Sequence, residues 1–250
     1  MGKHKRSAAR ALTRLVEAGA EVVGVVAPEP DALVRDAQRL DLVAGDHGLP
    51  LVSDSELHER PPADVDLVIS FLFWKRIREP LISLGRIGCL NFHPAPLPDF
   101  RGLGGINVAI LEGCAQWGVS CHFVDEGFDS GDLVEVERFS IDEPAETAFS
   151  LDLKSQERLY RLFERVLQLA LTGRELPRAP QGEGRYVTRE EFEGLRTVRP
   201  GDDIERKLRA FWYPPHPGAE LEVEGRRLTL VDGSLLAEVA EAYRNAGLIP

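Results

Sequence analysis

Two short apolar runs, 65–71 (VDLVISF) and 87–92 (IGCLNF), constrain most tightly how this chain can fold. Runs of this length suit strands buried on both faces, and such strands belong to sheets covered by helices. The surrounding pattern agrees. Ala8, Leu12 and Leu15 recur at helical spacing over 7–18. Residues 20–26 (AEVVGVV) read as a strand ended by Pro28, 31–42 as a helix and 51–52 as a short strand. Residues 105–112 form a short helix, 117–124 a strand and 133–139 its hairpin partner, followed by a long amphipathic helix over 146–171. Strands alternating with helices predict an α/β fold with a Rossmann-like, mostly parallel sheet. A doubly wound sheet normally opens with a central strand. This chain opens at Gly2-Lys3-His4, as if in the loop after it, so the expected sheet lacks its first strand and residues 1 to about 30 should be its weakest part.

Composition shifts at Thr172-Gly173 and again over 176–184 (LPRAPQGEG), where Pro and Gly mark a linker. Beyond it a helix is expected over 204–211. A hairpin of 219–223 and 226–231 around Glu224-Gly225 and a helix over 235–243 follow. The expected division is a catalytic domain, 1–177, and a small β-containing domain, 178–250, in which Trp212, Tyr213 and His216 pack the small domain on the large one.

No run of 18 apolar residues is present, so no membrane span is expected. The basic start, Lys3 to Arg6, leads into a stretch too charged for a secretion signal; cytoplasm is the default and the cluster reads as a solvated terminus. Cys89, Cys114 and Cys121 are odd in number and lack CxxC spacing. They suggest neither disulfide nor zinc, and each is expected to be buried and inert. Net charge is −11, and 178–250 carries 11 basic against 13 acidic side chains, which argues against a nucleic-acid partner.

The candidate catalytic residues are Asn91, His93 and Asp129. They can donate, accept and carry protons, and they fall at the ends of expected strands beside loops rich in Gly and Pro. That is the layout of a crevice in an open α/β sheet. Asn91 and His93, two apart on one strand, share a face. His122 sits in the strand before the Asp129 loop; its imidazole could contact folate or Asp129, but it reads chiefly as a satisfied strand histidine. Asp132 reads as a turn residue.

Asn91-Phe92-His93, the Pro-rich loop ending Leu97-Pro98, then Arg101-Gly102, Gly118-Val119-Ser120 and Asp129-Ser130-Gly131 occur in this order. The joint pattern resembles the folate-dependent formyltransferase family over residues 8–171, with a weaker echo from Arg209-Ala210-Phe211 to Pro217-Gly218-Ala219. One departure is Ala95-Pro96-Leu97-Pro98 where the family usually has Ser-Leu-Leu-Pro, which loses a hydroxyl. The resemblance implies formyl transfer from N10-formyltetrahydrofolate to an amine, with no metal. Asn91 and His93 would donate to the tetrahedral oxyanion and Asp129 would carry protons. Asp125, Glu126, Gly127 and Phe128 would form the pterin-binding loop, and Trp74, Lys75, Arg76 and Ile77 the other side of that pocket. Leu97 and Pro98 belong to the loop beside it. The resemblance is strongest to the nucleotide-sugar N-formyltransferases, which implies a small-molecule amine acceptor carried on a nucleotide. Methionyl-tRNA, glycinamide ribonucleotide, and hydroxamate-forming or amino-acid acceptors are the alternatives; a catalytically inactive folate-binding homologue is a different class. A homodimer is one assembly such a chain could adopt.

Overall fold

The structure is a computed structural model and describes residues 1–29 and 39–245. Along the chain run helices α1 (Arg6–Glu17), α2 (Leu40–Asp46) and α3 (Asp54–Glu59), strand β1 (Leu67–Phe71), α4 (Leu81–Leu84), β2 (Gly88–His93), β3 (Phe100–Gly102) and α5 (Gly105–Leu111). After these come β4 (Gln116–Phe123), β5 (Leu133–Ser140), α6 (Ala148–Leu171), β6 (Arg185–Val187), α7 (Arg189–Arg196), α8 (Ile204–Phe211), β7 (Glu220–Val223), β8 (Arg226–Thr229) and α9 (Gly233–Asn245). Most of the helix expected over 31–42 lies outside the described residues.

The residues form two compact units that interleave along the chain, whereas the expected division at 177 follows chain order. The first comprises Met1–Gly102, Gln116–Phe139 and Leu153–Tyr186. It holds the central sheet, in the order β1-β2-β4-β5. β1 and β2 pair parallel, from Leu67 opposite Gly88 to Phe71 opposite Phe92. β2 and β4 pair antiparallel, with Asn91 opposite His122 and His93 opposite Ser120. On the far side of β1, Gly2 bridges Phe71 in parallel and Val25 bridges Leu51 in parallel. The α/β class and the mainly parallel central sheet are therefore as expected.

Period-two alternation divides β2 and β4 into two chemistries. Leu90, Phe92, Val119 and Cys121 face a core shared with Leu159, Leu162, Phe163 and Val166 of α6, a helical i, i+3, i+4, i+7 stripe. Phe92 meets Phe163 edge-on with ring centroids 5.3 Å apart, and stacks on Phe71 at 5.4 Å. Burying each such side chain contributes about 1.5–3 kcal/mol. The opposite face carries Ser70, Asn91, His93, Ser120 and His122. Its near end is covered by α4 through the cluster of Ile77, Leu81 and Cys89, and polar groups remain at the C-terminal end of β2.

Three expectations need correction. The segment 20–26 is not a regular strand: only Val25 bridges, with its N–H on the Pro50 carbonyl and its own carbonyl on Val52 N–H. A ladder needs partners along its length, and among the described residues the other flank offers one hydrogen bond, from Gly2 N to the Val26 carbonyl. The chain start is not a loop either. Met1 and Lys3 hydrogen-bond to β1, so residues 1–3 occupy the end of a strand position between Val26 and Phe71. Third, Cys89 and Cys121 are buried, but Cys114 is only half-buried; burial pushes the Cys89 thiol up to about 12, so it stays protonated.

The second unit comprises Leu103–Ala115, Ser140–Asp152 and the described residues from Val187 on. α5 rests on α8, where Asn107 Nδ2 donates to the Ala210 carbonyl at 2.6 Å. β7 and β8 form the expected hairpin, with Glu224 and Gly225 at the positive φ a two-residue turn requires. Tyr213 Oη donates to Asp152 and its ring meets Phe149 edge-on, contacts within this unit.

Candidate active site

The pairing register brings the polar face of the sheet together. Ser70 Oγ donates to Asn91 Oδ1 at 2.6 Å. Asn91 Nδ2 lies 3.0 Å from His122 Nε2 and donates to Asp129 Oδ1 at 3.3 Å. His122 Nδ1 lies 2.7 Å from the Phe123 carbonyl, an acceptor only, so the proton of neutral His122 belongs on Nδ1 and its Nε2 accepts from Asn91. His93 Nε2 lies 3.0 Å from the Phe100 carbonyl, which places its proton on Nε2 by the same argument and turns Nδ1 toward Asp129 Oδ1, 3.5 Å away. Asp129 Oδ1 is also 3.6 Å from His122 Nε2. Asn91, His93 and Asp129, each named from the sequence, thus meet at one point. His122 joins them as a direct neighbour of both Asn91 and Asp129, its contact with Asn91 fixed by cross-strand register.

Asp129 is held by its loop. Gly102 N donates to its Oδ2 at 3.1 Å. Its φ of 52° lies in the left-handed region, which costs an L-residue about 1–2 kcal/mol. Burial pushes its carboxyl up, but once His93 and His122 are protonated the charge of His93, the hydrogen bond and charge of His122 and the Gly102 N–H outweigh this and hold it well below the usual carboxylate range.

The segment 176–184, expected to be a linker, completes the loop's setting. Leu133 and Ala179 exchange two backbone hydrogen bonds of 2.8 and 3.0 Å at the start of β5. Two residues on, Gln181 Nε2 donates to the carbonyls of Asp129 (3.1 Å) and Gly131 (2.6 Å). Its Oε1 accepts from Arg101 Nε (3.2 Å) and Nη2 (2.9 Å), and Arg101 Nη2 also reaches the Gly182 carbonyl. Gly184 lies so close to the Pro98 carbonyl that a Cβ there would collide with it. β6 then pairs with β3.

The two segments expected to form the pterin pocket meet in part. Arg76, Ile77 and Glu126, with Arg78, Glu79 and Ile82, line a cavity of about 330 Å³. Arg76 also lies over the Phe128 ring, 5.3 Å from its centroid, and Phe128 lies 6.3 Å from the Tyr186 ring. Asp125 Oδ1 accepts from Gly127 N and Ser130 Oγ, shaping the turn before Asp129. Trp74 and Lys75 do not line this cavity: Trp74 stacks at a tilt on Phe73, and Lys75 Nζ reaches Asp54 of α3 at 3.5 Å. Leu97 is fully buried, so it offers a ligand its backbone alone; its N–H donates to Ser120 Oγ, which in turn donates to the Ala95 carbonyl. Pro98 forms the contact with Gly184.

Residues 51–167 match the family model described as formyl transferase. This stretch holds Asn91, His93, His122 and Asp129 and the central sheet from β1 on, and through it the chain is similar to that family. Among its relatives, GDP-perosamine N-formyltransferase of Brucella melitensis is 34% identical over 165 residues, 65% of this chain and 63% of that protein. The match therefore spans less than two thirds of that relative. Methionyl-tRNA formyltransferase of Lachnospira eligens is 26% identical over 246 residues, 92% of this chain and 76% of that protein. In fold, the chain is similar to an N-formyltransferase from Helicobacter canadensis solved in complex with folinic acid and dTDP-3-aminofucose. The TM-score is 0.74 at 17% identity, covering 91% of this chain and 84% of that one.

Proposed function

We propose that this protein transfers a formyl group from N10-formyltetrahydrofolate to the amine of a nucleotide-linked amino sugar, with Asn91, His93 and Asp129 as its catalytic residues. The observation that carries this reading is their convergence at the C-terminal end of β2, inside the stretch that matches formyl transferases. In such a transfer the amine nitrogen bonds to the formyl carbon and the bond from that carbon to the donor nitrogen breaks. The proton shed by the amine ends on the donor nitrogen, and the carbonyl oxygen carries negative charge in between.

Each side chain suits one of these demands. Asn91 Nδ2 is a donor already aimed at an anionic oxygen, that of Asp129, and a developing oxyanion is a closely similar partner. Asp129 is so strongly held ionised that alone it is a weak base. His93 Nδ1, turned toward that carboxylate, is the better proton acceptor, with Asp129 orienting the ring and balancing the positive charge. Ser70 and His122 fix Asn91 from either side. Folate is the donor substrate. The cavity of Arg76, Ile77, Arg78, Glu79, Ile82 and Glu126 combines apolar walls with donors and acceptors, as a flat heterocycle bearing both requires.

The sugar-nucleotide acceptor is supported by the GDP-perosamine-formylating relative and by the fold neighbour holding a dTDP-amino sugar. Methionyl-tRNA is the second reading, favoured by the relative matched along 92% of this chain. The net charge of −11 and the 11 basic against 13 acidic side chains of 178–250 weigh against it. The test offers purified protein and N10-formyltetrahydrofolate a panel of GDP- and dTDP-amino sugars, glycinamide ribonucleotide and methionyl-tRNA, with products identified by mass. Formylated amino sugar as the fastest product supports the proposal; formylated tRNA as the fastest overturns the acceptor.

A further inference from the structure

We propose that Gln181 is a positioning residue for Asp129, and that the segment around it is a working part of the site rather than a tether between domains. The inference rests on the catalytic reading of Asp129. Gln181 spends its whole hydrogen-bonding capacity here: both N–H groups go to the carbonyls of Asp129 and Gly131, and both Oε1 lone pairs accept from Arg101. The partners fix the amide orientation, because a flipped amide would aim its N–H groups at a guanidinium and its oxygen at two carbonyls. Arg101 belongs to β3 and is followed by Gly102, whose N–H holds the Asp129 carboxylate. Gln181 therefore ties together the two ends of one small ring: the backbone that presents Asp129, and the strand whose amide grips its side chain.

Three further features suit this role. The Asp129 backbone sits in the unfavourable left-handed region, so it needs an outside restraint, and a donor on its own carbonyl is one. The Leu133–Ala179 bridge anchors the segment two residues upstream of Gln181. The close approach of Gly184 to Pro98 anchors it three residues downstream. Held at both ends, the segment presents Gln181 without a rotamer search, and a misplacement of the order of 1 Å at a reacting group costs about 10²-fold in rate.

The test compares wild type with Gln181→Met, which keeps the side chain's length and removes every hydrogen bond. A second variant, Gln181→Glu, keeps the acceptor for Arg101 and loses both donors. Amide hydrogen exchange at Gly102 is read against the amides of β2, because the Gly102 N–H is protected by Asp129 itself. We expect both variants to exchange at Gly102 about 10-fold or more faster while the β2 amides are unchanged. We also expect kcat to fall about 10- to 100-fold, with KM for donor and acceptor within about twofold. Gly102 and β2 exchanging faster together would mean a merely structural residue, and no change at Gly102 would mean no positioning; either overturns the proposal. If wild type formylates no amine, the functional reading fails, and the Gly102 measurement still decides whether Gln181 holds Asp129.

Discussion

At the scale of residues, the site is a short circuit of hydrogen bonds in which each group fixes its neighbour. Replacing Asn91 or His93 by Ala should lower turnover by about 10²–10³, the cost of one lost transition-state donor or proton acceptor. Asp129→Asn should do at least as much while leaving the fold intact. Steady-state rates of the three purified variants check this, and near-wild-type rates in all three would remove the mechanism. Asp129 also has a pH signature. Its pKa is lowered on folding, so it contributes stability that is full above the ordinary carboxylate value of about 4 and is lost as pH falls toward the folded value. Acid unfolding of Asp129→Asn should therefore show a shallower pH dependence below about pH 4 than wild type; identical slopes would mean that His93, His122 and Gly102 do not hold the carboxylate as described. Asn91, His93 and Asp129 were legible in the sequence because their spacing and flanking Gly and Pro are local signals. His122 was legible as a candidate contact of Asp129, though ranked below a satisfied strand histidine; Ser70 and Gln181 were not legible, because their roles depend on strand register and on the path of a segment 52 residues away from Asp129.

Among the elements, β1, β2 and β4 were legible as runs of apolar residues, and α6 by its stripe. The short helices α3 and α7 were missed. Their lengths of 6 and 8 residues leave little periodicity, and only the caps Ser53 and Thr188 announce them. The strand at 20–26 failed for a tertiary reason: a strand exists only where its neighbours do. An apolar cavity of about 490 Å³ lies between this segment and β1, lined by Leu12, Leu15, Val22, Leu67, Ile69 and Leu167 among others. Joining about five apolar residues ahead of Met1 would fill the cavity with a strand parallel to β1. Thermal unfolding should then shift upward by several degrees. An unchanged midpoint would show that the cavity accepts no strand.

For the whole molecule, charge is the property that separates the two acceptor readings. A sugar nucleotide carries few charges, so its KM should change less than about threefold between 50 and 200 mM salt, whereas RNA contacts weaken steeply over that range. A steep salt dependence would favour tRNA. The division of labour along the chain was the least legible feature at this scale. Composition marked 176–184 as a boundary, because Gly and Pro signal a break in regular structure. They signal equally well a segment that must pass close to another backbone, as Gly184 does beside Pro98. The central claim is that this chain moves a formyl group through Asn91, His93 and Asp129. Its most direct test follows isotopic label from the formyl carbon of N10-formyltetrahydrofolate, comparing wild type with the combined Asn91→Ala, His93→Ala, Asp129→Asn variant. The account predicts label on the nitrogen of a nucleotide-linked amino sugar with wild type and none above background with the variant. Absence of labelled product from wild type across the whole acceptor panel, or undiminished labelling by the variant, would contradict it.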